Sequence, residues 1–532
     1  MAVGGAADVP RADTLTADVC IIGGGAAGLT LAADLDGGAH SVVVLEAGGA
    51  HRERAVEEDT FAVEHFGEPW RNPEPARGRS FGGSANLWFG RLAAPQPIDF
   101  DSRPWVPASG WPIERATLTP WLREAAHRLR SPAAEHLDID RWPSHPTIET
   151  FHRRDDTDLA VFAWAGEPDV GGTTRPTLER STTVRVLLDA TVTALVAHQD
   201  GRALDHVEVA RPDGGRFTVT ARAYVLAAGG LENPRLLLAS TATGERGLGN
   251  DHDLVGRYYM DHPRGEGSAV VDLHGCSDEQ LERVRFLGER TPSPVGPVQF
   301  GVTFSARKQR DEGLLNHVVH GHLASDEQTS AGHQAARSLL KRVRRRDGDF
   351  GPWTDDVVAV VRDSPALARL AARKLTGRVR PTQLIVIDQM EQEPDRDSRV
   401  TVDHRKPDRF GLPRVGVDWH IGESTYRSQT VMHETLRRTL AGVGLTSFRS
   451  RVLDCPDEPR ELWDMKHPSG TTRMATSPTA GVVDADGRVH GLANLYIVGS
   501  STFPTVGHFN PTLTILALTL RLGDHLRRAL RR

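Results

Sequence analysis

The chain has 532 residues, 39% of them hydrophobic and 52 of them glycine, which suits two intertwined globular domains with a large buried core. A formal net charge of −6 and a pI near 6.5 exclude the overall basic field that gathers phosphate backbones, so no nucleic-acid partner is expected. Only three cysteines occur, Cys20, Cys276 and Cys455, at unrelated spacings that exclude a disulfide framework and a CxxC metal or redox site.

The cysteine usage suggests a reducing compartment. No basic stretch followed by a long apolar run opens the chain, and no later run reaches the roughly 18 apolar residues of a membrane helix, so a cytoplasmic protein without a membrane span is expected. The first dozen residues read as a flexible lead-in. From Asp18 the pattern is strand (Val19 to Ile22), glycine-rich turn (Gly23 to Gly28), helix (Leu29 to Leu35) and strand (Val42 to Leu45). This is a βαβ unit whose strands are continuously apolar, as buried parallel strands are.

Residues 50 to 115 are rich in Gly, Pro and Arg and read as an extended excursion rather than regular elements. A helix is predicted over Leu118 to Leu129. Residues 183 to 229 alternate as strands (Val184 to Leu188, Thr191 to Val196, Val207 to Ala210, Phe217 to Thr220, Tyr224 to Ala228), with a hairpin turn at Asp213 to Gly215. Residues 298 to 323 and 382 to 393 alternate again and predict a second, antiparallel sheet. Between them, 331 to 380 is helical in pattern and locally basic, through Lys341, Arg342, Arg344, Arg345, Arg346, Arg373 and Lys374. A strand at Leu495 to Val498 and a helix from Pro511 to about Leu526 complete the pattern.

The turn GGGAAG sets Gly23, Gly25 and Gly28 in a GxGxxG fingerprint between strand and helix, and Glu46 ends the next strand 18 residues beyond Gly28. The first glycine permits the tight turn, the second lets a pyrophosphate approach backbone, and the third lets helix pack on strand. Glu46 is placed to accept from both ribose hydroxyls. No second fingerprint follows, and the strand-to-glycine segment ending in Ala228, Gly229 and Gly230 resembles the strand that flavoproteins return to their FAD domain. The carrier is therefore expected to be FAD rather than a nicotinamide.

Several further blocks carry a family resemblance: FGGSANLW from Phe81, VRVLLDATVTAL from Val184, AYVLAAGGLENPRLLL from Ala223, GLGNDHDLVGRYYMDHP from Gly247, HPSGTTRM from His467 and VGSSTFPTVGHFNPTLTILAL from Val498. In this order they resemble the glucose-methanol-choline (GMC) oxidoreductase family. GHFNPTLT and EQEPDRDSRV from Glu391 are most similar to bacterial pyranose-oxidase-like members, which implies carbohydrate-like alcohols. The resemblance implies FAD contacts from Gly23, Gly25, Ala26, Ala27, Gly28, Glu46, Ala47, Arg79, Gly82, Gly83, Ser84, Asn86, Leu87, Val192, Ala228, Gly229, Gly499, Ser500, Asn510, Pro511 and Thr512. Covalently flavinylated members carry a His after the Gly pair; Gly82 to Trp88 has none, so noncovalent FAD is expected.

Oxidation of an alcohol needs a base for the hydroxyl proton while the carbon's hydride leaves for flavin N5, and imidazole suits that task near neutral pH. The resemblance gives this role to His467, with Asn510, 43 residues later, orienting the alcohol oxygen. Asn510-Pro511 also reads as an N-cap with proline at the first helical position, so capping and substrate binding would compete for one side-chain oxygen. His508, His320 and Gln392 are candidate substrate contacts. Asn316, Val318, His320 and His322 share one strand face but lack acidic or Cys partners at ligand spacing, and no metal is expected. In the strand from residue 382, Asp388, Met390 and Gln392 share one face and Gln389, Glu391 and Glu393 the other. One face should roof the site, and acids there would favour an amino sugar or other cationic alcohol, although acids on an exposed sheet face are the more common case.

The expected architecture is α/β: a Rossmann-type FAD-binding domain from residues 14–100, 181–264 and 461–532, a substrate-side segment at 101–180, and an antiparallel-sheet substrate domain at 265–460 with a helical insert near 331–380. The expected activity is oxidation of a hydroxyl of a sugar, polyol or glycoside, with oxygen or another acceptor taking the electrons. Two readings stand beside it: a tailoring oxidase or dehydrogenase of an aminoglycoside-like or other glycosylated natural product, and a flavin-binding scaffold without turnover, against which His467 and Asn510 argue.

Overall fold

The computed structural model describes residues 2–72, 77–241, 246–345, 354–375 and 379–531. An eight-stranded sheet contains β1 (Val3–Gly5), β2 (Thr14–Ile22), β3 (Val42–Leu45), β7 (Val184–Leu188), β8 (Thr191–Ala197), β9 (Leu204–Ala210), β10 (Arg216–Leu226) and β18 (Leu495–Ile497), in the order β1-β7-β3-β2-β10-β9-β8 with β18 also on β10. The strands from β1 to β10 in that order run parallel, which explains why β2 and β3 are apolar on both faces. β10 is long because its first half pairs antiparallel with β9 and its second half parallel with β18. The helix Ala26–Leu35 connects β2 to β3, and the helix Pro511–Ala529 packs against it.

A second, seven-stranded sheet is wholly antiparallel. Its members are β5 (Arg91–Ala93), β6 (Thr157–Trp164), β11 (Arg264–Asp272), β12 (Val298–Phe304), β13 (His317–Ala324), β14 (Gln383–Met390) and β17 (Phe448–Ser450), in the order β17-β11-β14-β13-β12-β6-β5. The helix Glu423–Gly442 covers one face of this sheet. A small third sheet joins β15 (Arg399–Pro407), β16 (Pro413–Trp419) and β4 (Val63–Gly67).

Three expectations change. The first dozen residues are not a loose lead-in, because β1 extends the parallel sheet by pairing Val3–Gly5 with Val186–Leu188. Residues 50 to 115 do contain regular elements, among them the helix Arg54–Thr60, β4 and β5, each too short to show a period in the sequence. The two strands read at 217–220 and 224–228 are one strand, β10. The insert is helical over Ala331–Arg345, Thr354–Arg362 and Ser364–Leu375, but Arg346 and the side chains of Lys341, Arg342, Arg344, Arg345, Arg373 and Lys374 lie outside the described residues.

Candidate active site

The glycine turn is built for close approach. A Cβ on Gly28 would lie 1.9 Å from the Gly23 carbonyl oxygen, so only glycine lets the helix seat on the strand, and Gly23 itself has φ +108°. A Cβ on Gly25 would meet open space, and Gly25 caps the helix Ala26–Leu35 without a side chain. Ala26 and Ala27 open that helix, leaving its first-turn N–H groups for an anion. Gly82 donates its N–H to the Gly24 oxygen at 2.9 Å, and a Cβ on Gly83 would be 2.9 Å from the Gly25 Cα. The short 3-10 turn Gly83–Asn86, which carries Ser84 and leads into Leu87, is thereby laid over the fingerprint.

Glu46 has a second duty beyond the expected ribose contact. Its Oε2 accepts the Gly24 N–H at 2.7 Å and its Oε1 the Gly48 N–H at 2.8 Å, which ties the two turns together and leaves one lone pair on each oxygen. Burial pushes its carboxyl up to about 7, against the pull of those N–H groups and Arg79. Ala47 follows in the same turn. Arg79 donates to the Thr191 hydroxyl at 2.7 Å, one residue before the buried Val192, with its guanidinium 4.6 Å over the Phe410 ring. Open space at Gly25, an uncapped helix end and a buried carboxylate with spare acceptors together fit an adenine dinucleotide.

The second half of the site is a set of loops clamped by backbone. Gly470, Thr472 and Met474 donate their N–H groups to the carbonyls of Ser500, Ser501 and Thr502, so HPSGTTRM runs beside the turn that follows Gly499. Gly229 begins the helix Gly229–Ala239 after Ala228, and Gly230 must be glycine because its Cβ would fall 2.1 Å from the Pro468 oxygen. Asp261 is buried and holds the candidate base: its carboxylate accepts the N–H groups of His262, Met465 and His467 at 2.6, 3.2 and 3.1 Å. Burial and nearby Asp464 raise its carboxyl to about 7.

The rings of His467 and His262 meet Nδ1 to Nδ1 at 3.1 Å. His262 Nε2 is 3.2 Å from the Val506 carbonyl oxygen, which can only accept. His262 therefore carries its proton on Nε2, and burial lowers its pKa to about 4, so it is neutral. Its Nδ1 is then an acceptor, His467 must donate from Nδ1, and His467 Nε2 is left with a free lone pair. Burial first, then His262, Arg264 and Arg91, hold the His467 imidazole well below its usual range, which keeps that lone pair unprotonated. Asp261, His262 and His467 bring three potential ligand atoms within 4.8 Å of one another. The hydrogen bonds above already occupy the Asp261 carboxylate and both nitrogens of His262.

Asn510 precedes the helix Pro511–Ala529, whose first turn includes Thr512, but its side chain makes no capping bond and its buried Oδ1 has no partner. The competition between capping and substrate thus resolves in favour of a free amide oxygen. His508 is fully buried, both ring nitrogens lack hydrogen-bond partners, and burial lowers its pKa to about 3. His320 Nε2 meets Arg91 at 3.1 Å while its Nδ1 is unpartnered.

Gln392 is a correction. Its Oε1 accepts from Asp261 N–H and Trp419 Nε1, and its Nε2 donates to the Tyr259 and His420 carbonyls, so no group remains for a substrate. The acids of this strand are already engaged. Asp388 is bonded to His317 and to His433 and Gln429 of the helix Glu423–Gly442, and Glu391 pairs with buried Arg103. Gln389 is the residue turned to the loops, donating to the His508 carbonyl at 2.5 Å. The structure adds Asp261, His262, Arg91 and Arg264 to the site; in the sequence, the YYMDHP run is the signal for the first two.

Two family models, both described as GMC oxidoreductase, match residues 172–264 and 394–519. Fructose dehydrogenase large subunit of Gluconobacter japonicus is 26% identical over 59% of this chain and 48% of its own length, so the chain spans about half of that relative. 2-Methyl-1,2-propanediol dehydrogenase of Mycolicibacterium austroafricanum is 24% identical over 96% of this chain and 95% of its own. Paromamine 6'-oxidase of Streptomyces fradiae is 26% identical over 86% of this chain and 78% of its own. Among solved structures, pyridoxine 4-oxidase from Mesorbium loti superposes with TM-score 0.52 at 19% identity, covering 96% of this chain and 98% of that one. No described helix is long and apolar enough to cross a membrane. Across these two matched segments the chain is similar to the GMC oxidoreductase family, whose enzymes are FAD-dependent and act on CH–OH groups.

Proposed function

We propose that this chain oxidises a hydroxyl of a sugar, polyol or glycoside to a carbonyl, with His467 as base and Asn510 orienting the alcohol. The observation that carries the reading is the fixed tautomer of His467, which leaves Nε2 unprotonated and uncommitted. The alcohol O–H donates to that nitrogen while an N–H of the Asn510 amide donates to the same oxygen. As the C–H bond breaks with its electron pair, the proton passes to His467 Nε2, and the resulting imidazolium keeps its Nδ1–H on neutral His262. Noncovalently bound FAD supplies the two-electron acceptor. The residues that would hold it are the Gly23–Gly28 turn, Glu46, Ala47, Arg79, the Gly82–Leu87 turn, Val192, Ala228, Gly229, Gly499, Ser500 and the start of the helix Pro511–Ala529. Residues 14–100, 181–264 and 461–532 are read as the FAD-binding domain, with 101–180 and 265–460 as the substrate side, except that sheet pairing puts β1 with the former and β5 with the latter.

Sugar and polyol names among the relatives support the substrate class. The test is anaerobic titration of the yellow protein with sugars, polyols and glycosides, scored by flavin bleaching; air reoxidation then separates oxygen from other acceptors. Acid precipitation should leave FAD in the supernatant. Absence of bleaching by every alcohol would remove the proposed activity, and flavin in the pellet would remove noncovalent binding.

A further inference from the structure

The face of the seven-stranded sheet that meets the His508–Asn510 turn has a definite charge. Strand register places Arg91 (β5), Phe162 (β6), Gln299 (β12), His320 (β13), Gln389 (β14) and Arg264 (β11) on that one face. The Arg91 guanidinium lies 3.7 Å over the Phe162 ring, and His320 and His508 meet that ring edge-on with centroids 5.5 and 6.3 Å away. Arg91 donates to Gln299 Oε1 at 2.9 Å and meets His320 Nε2 at 3.1 Å, both neutral partners, since burial and the arginines hold His320 well below its usual pKa. Among the described residues no carboxylate lies within ion-pair distance of Arg91; Glu289, whose charge reaches it, is bound to His322. Burial and the charge of Arg264 lower Arg91 to about 9, still cationic at neutral pH.

Unanswered polar atoms collect at this face. Nε of Arg91, Nε of Arg264, Nδ1 of His320, Oε1 of Gln389, both nitrogens of His508 and Oδ1 of Asn510 are all buried without a partner. A buried guanidinium with a free Nε–H edge and no counter-charge is costly unless a ligand supplies one. We propose that the alcohol taken by this site also carries a carboxylate, making it a hydroxy acid of the aldonic or uronic class, with the carboxylate on Arg91 and the hydroxyl at His467. The proposal rests on the reading of His467 as the base. A planar carboxylate matches the two-donor edge of one arginine, and the same charge repels an amino sugar.

Gluconate and sorbitol share a six-carbon polyol chain and differ by carboxylate against hydroxymethyl, so they form the test pair. Wild-type holoenzyme should be reduced with a kcat/KM about 10- to 100-fold higher for gluconate, and Arg91→Met should bring the ratio near one while Arg91→Lys restores part of it. 2-Hydroxyisobutyrate has a hydroxyl and a carboxylate but no carbinol hydrogen, so its binding, read from the flavin spectrum, is independent of turnover. That binding should weaken by a similar factor in Arg91→Met, and Arg91→Lys gives a second reading if the methionine chain does not fold. Sorbitol preferred by the wild type, 2-hydroxyisobutyrate bound equally by wild type and both variants, or inorganic phosphate competing as well as carboxylate would each overturn the proposal. Arg91-dependent binding without bleaching by any alcohol would instead overturn the oxidation and leave the anion site standing.

Discussion

The imidazoles of His262 and His467 touch through their Nδ1 atoms at 3.1 Å with ring planes crossed at 87°, and one proton must lie between them. Val506 decides which ring owns it. His262→Phe keeps an aromatic ring but removes the acceptor, so His467 can place its proton on either nitrogen. Flavin reduction at saturating substrate should slow by about 10- to 100-fold, a part of the 10²–10⁴ that a positioned base contributes. His262→Asn, whose oxygen can replace Nδ1 as acceptor, should recover part of the loss. Stopped-flow reduction with KM and kcat separated measures this; equal loss in both variants would assign His262 to packing.

His467→Ala should slow anaerobic reduction by about 10²–10⁴-fold with FAD still bound, and the deficit should narrow at high pH, where alkoxide forms unaided. Asn510→Ala should also slow reduction but keep the ionisation that belongs to His467, because it removes orientation and not the base. Paired pH–rate profiles of the two variants distinguish these roles.

The pH dependence has a definite sign. Burial, His262, Arg264 and Arg91 all disfavour the His467 cation, so its pKa in the folded protein lies well below 6.5. The base is active when unprotonated, and the reduction rate should stay flat as pH falls through its ordinary value and drop only well below it. Arg91→Met removes one repelling charge and should move that break upward. A wild-type break at the ordinary imidazole value would contradict these electrostatics.

Glu46 links the fingerprint to the next turn. Glu46→Ala removes the acceptors of the Gly24 and Gly48 N–H groups together with the proposed ribose contacts, each charge-assisted bond contributing about 1.5–3 kcal/mol. FAD retention should weaken far more than the chemistry of the remaining holoenzyme. The carboxyl sits at about 7 in the cofactor-free fold against 4.5 ordinarily, so between those values the folded state binds more protons than the unfolded one. Apoprotein stability should therefore fall as pH rises through that window. Thermal melts of apoprotein across the same range should show a shallower slope in Glu46→Gln, with the share of Asp261, also raised to about 7, remaining.

The fold is legible in the sequence where one short segment carries the signal. Gly23, Gly25 and Gly28 with apolar β2 and β3 announce the parallel unit, and Asn510-Pro511 announces the last helix. β1 escapes such reading because Val3–Gly5 is too short to show a pattern and forms by pairing with β7. The candidate base stands out in HPSGTTRM and His262 in YYMDHP, but their pairing does not, since the two lie 205 residues apart. Arg91 and His320 are likewise separated by 229 residues, and strand register alone turns them to one face. Alternation along β14 defines two faces without saying which one meets the loops, so Asp388 and Gln389 cannot be assigned before the sheet is seen.

The sheet that cradles the fingerprint is assembled from distant parts of the sequence: Gly23 is synthesised early, whereas β18, Val506 and the helix Pro511–Ala529 leave the ribosome late. Until they arrive, Tyr224–Leu226 of β10 presents an unpaired edge and the helix Ala26–Leu35 an uncovered side. Long-range pairings of this kind are slow to form and expose aggregation-prone surface meanwhile. The proposed cofactor cradle is therefore complete only once the residues from β18 onward have been made, and a nascent chain stalled before β18 should be inactive.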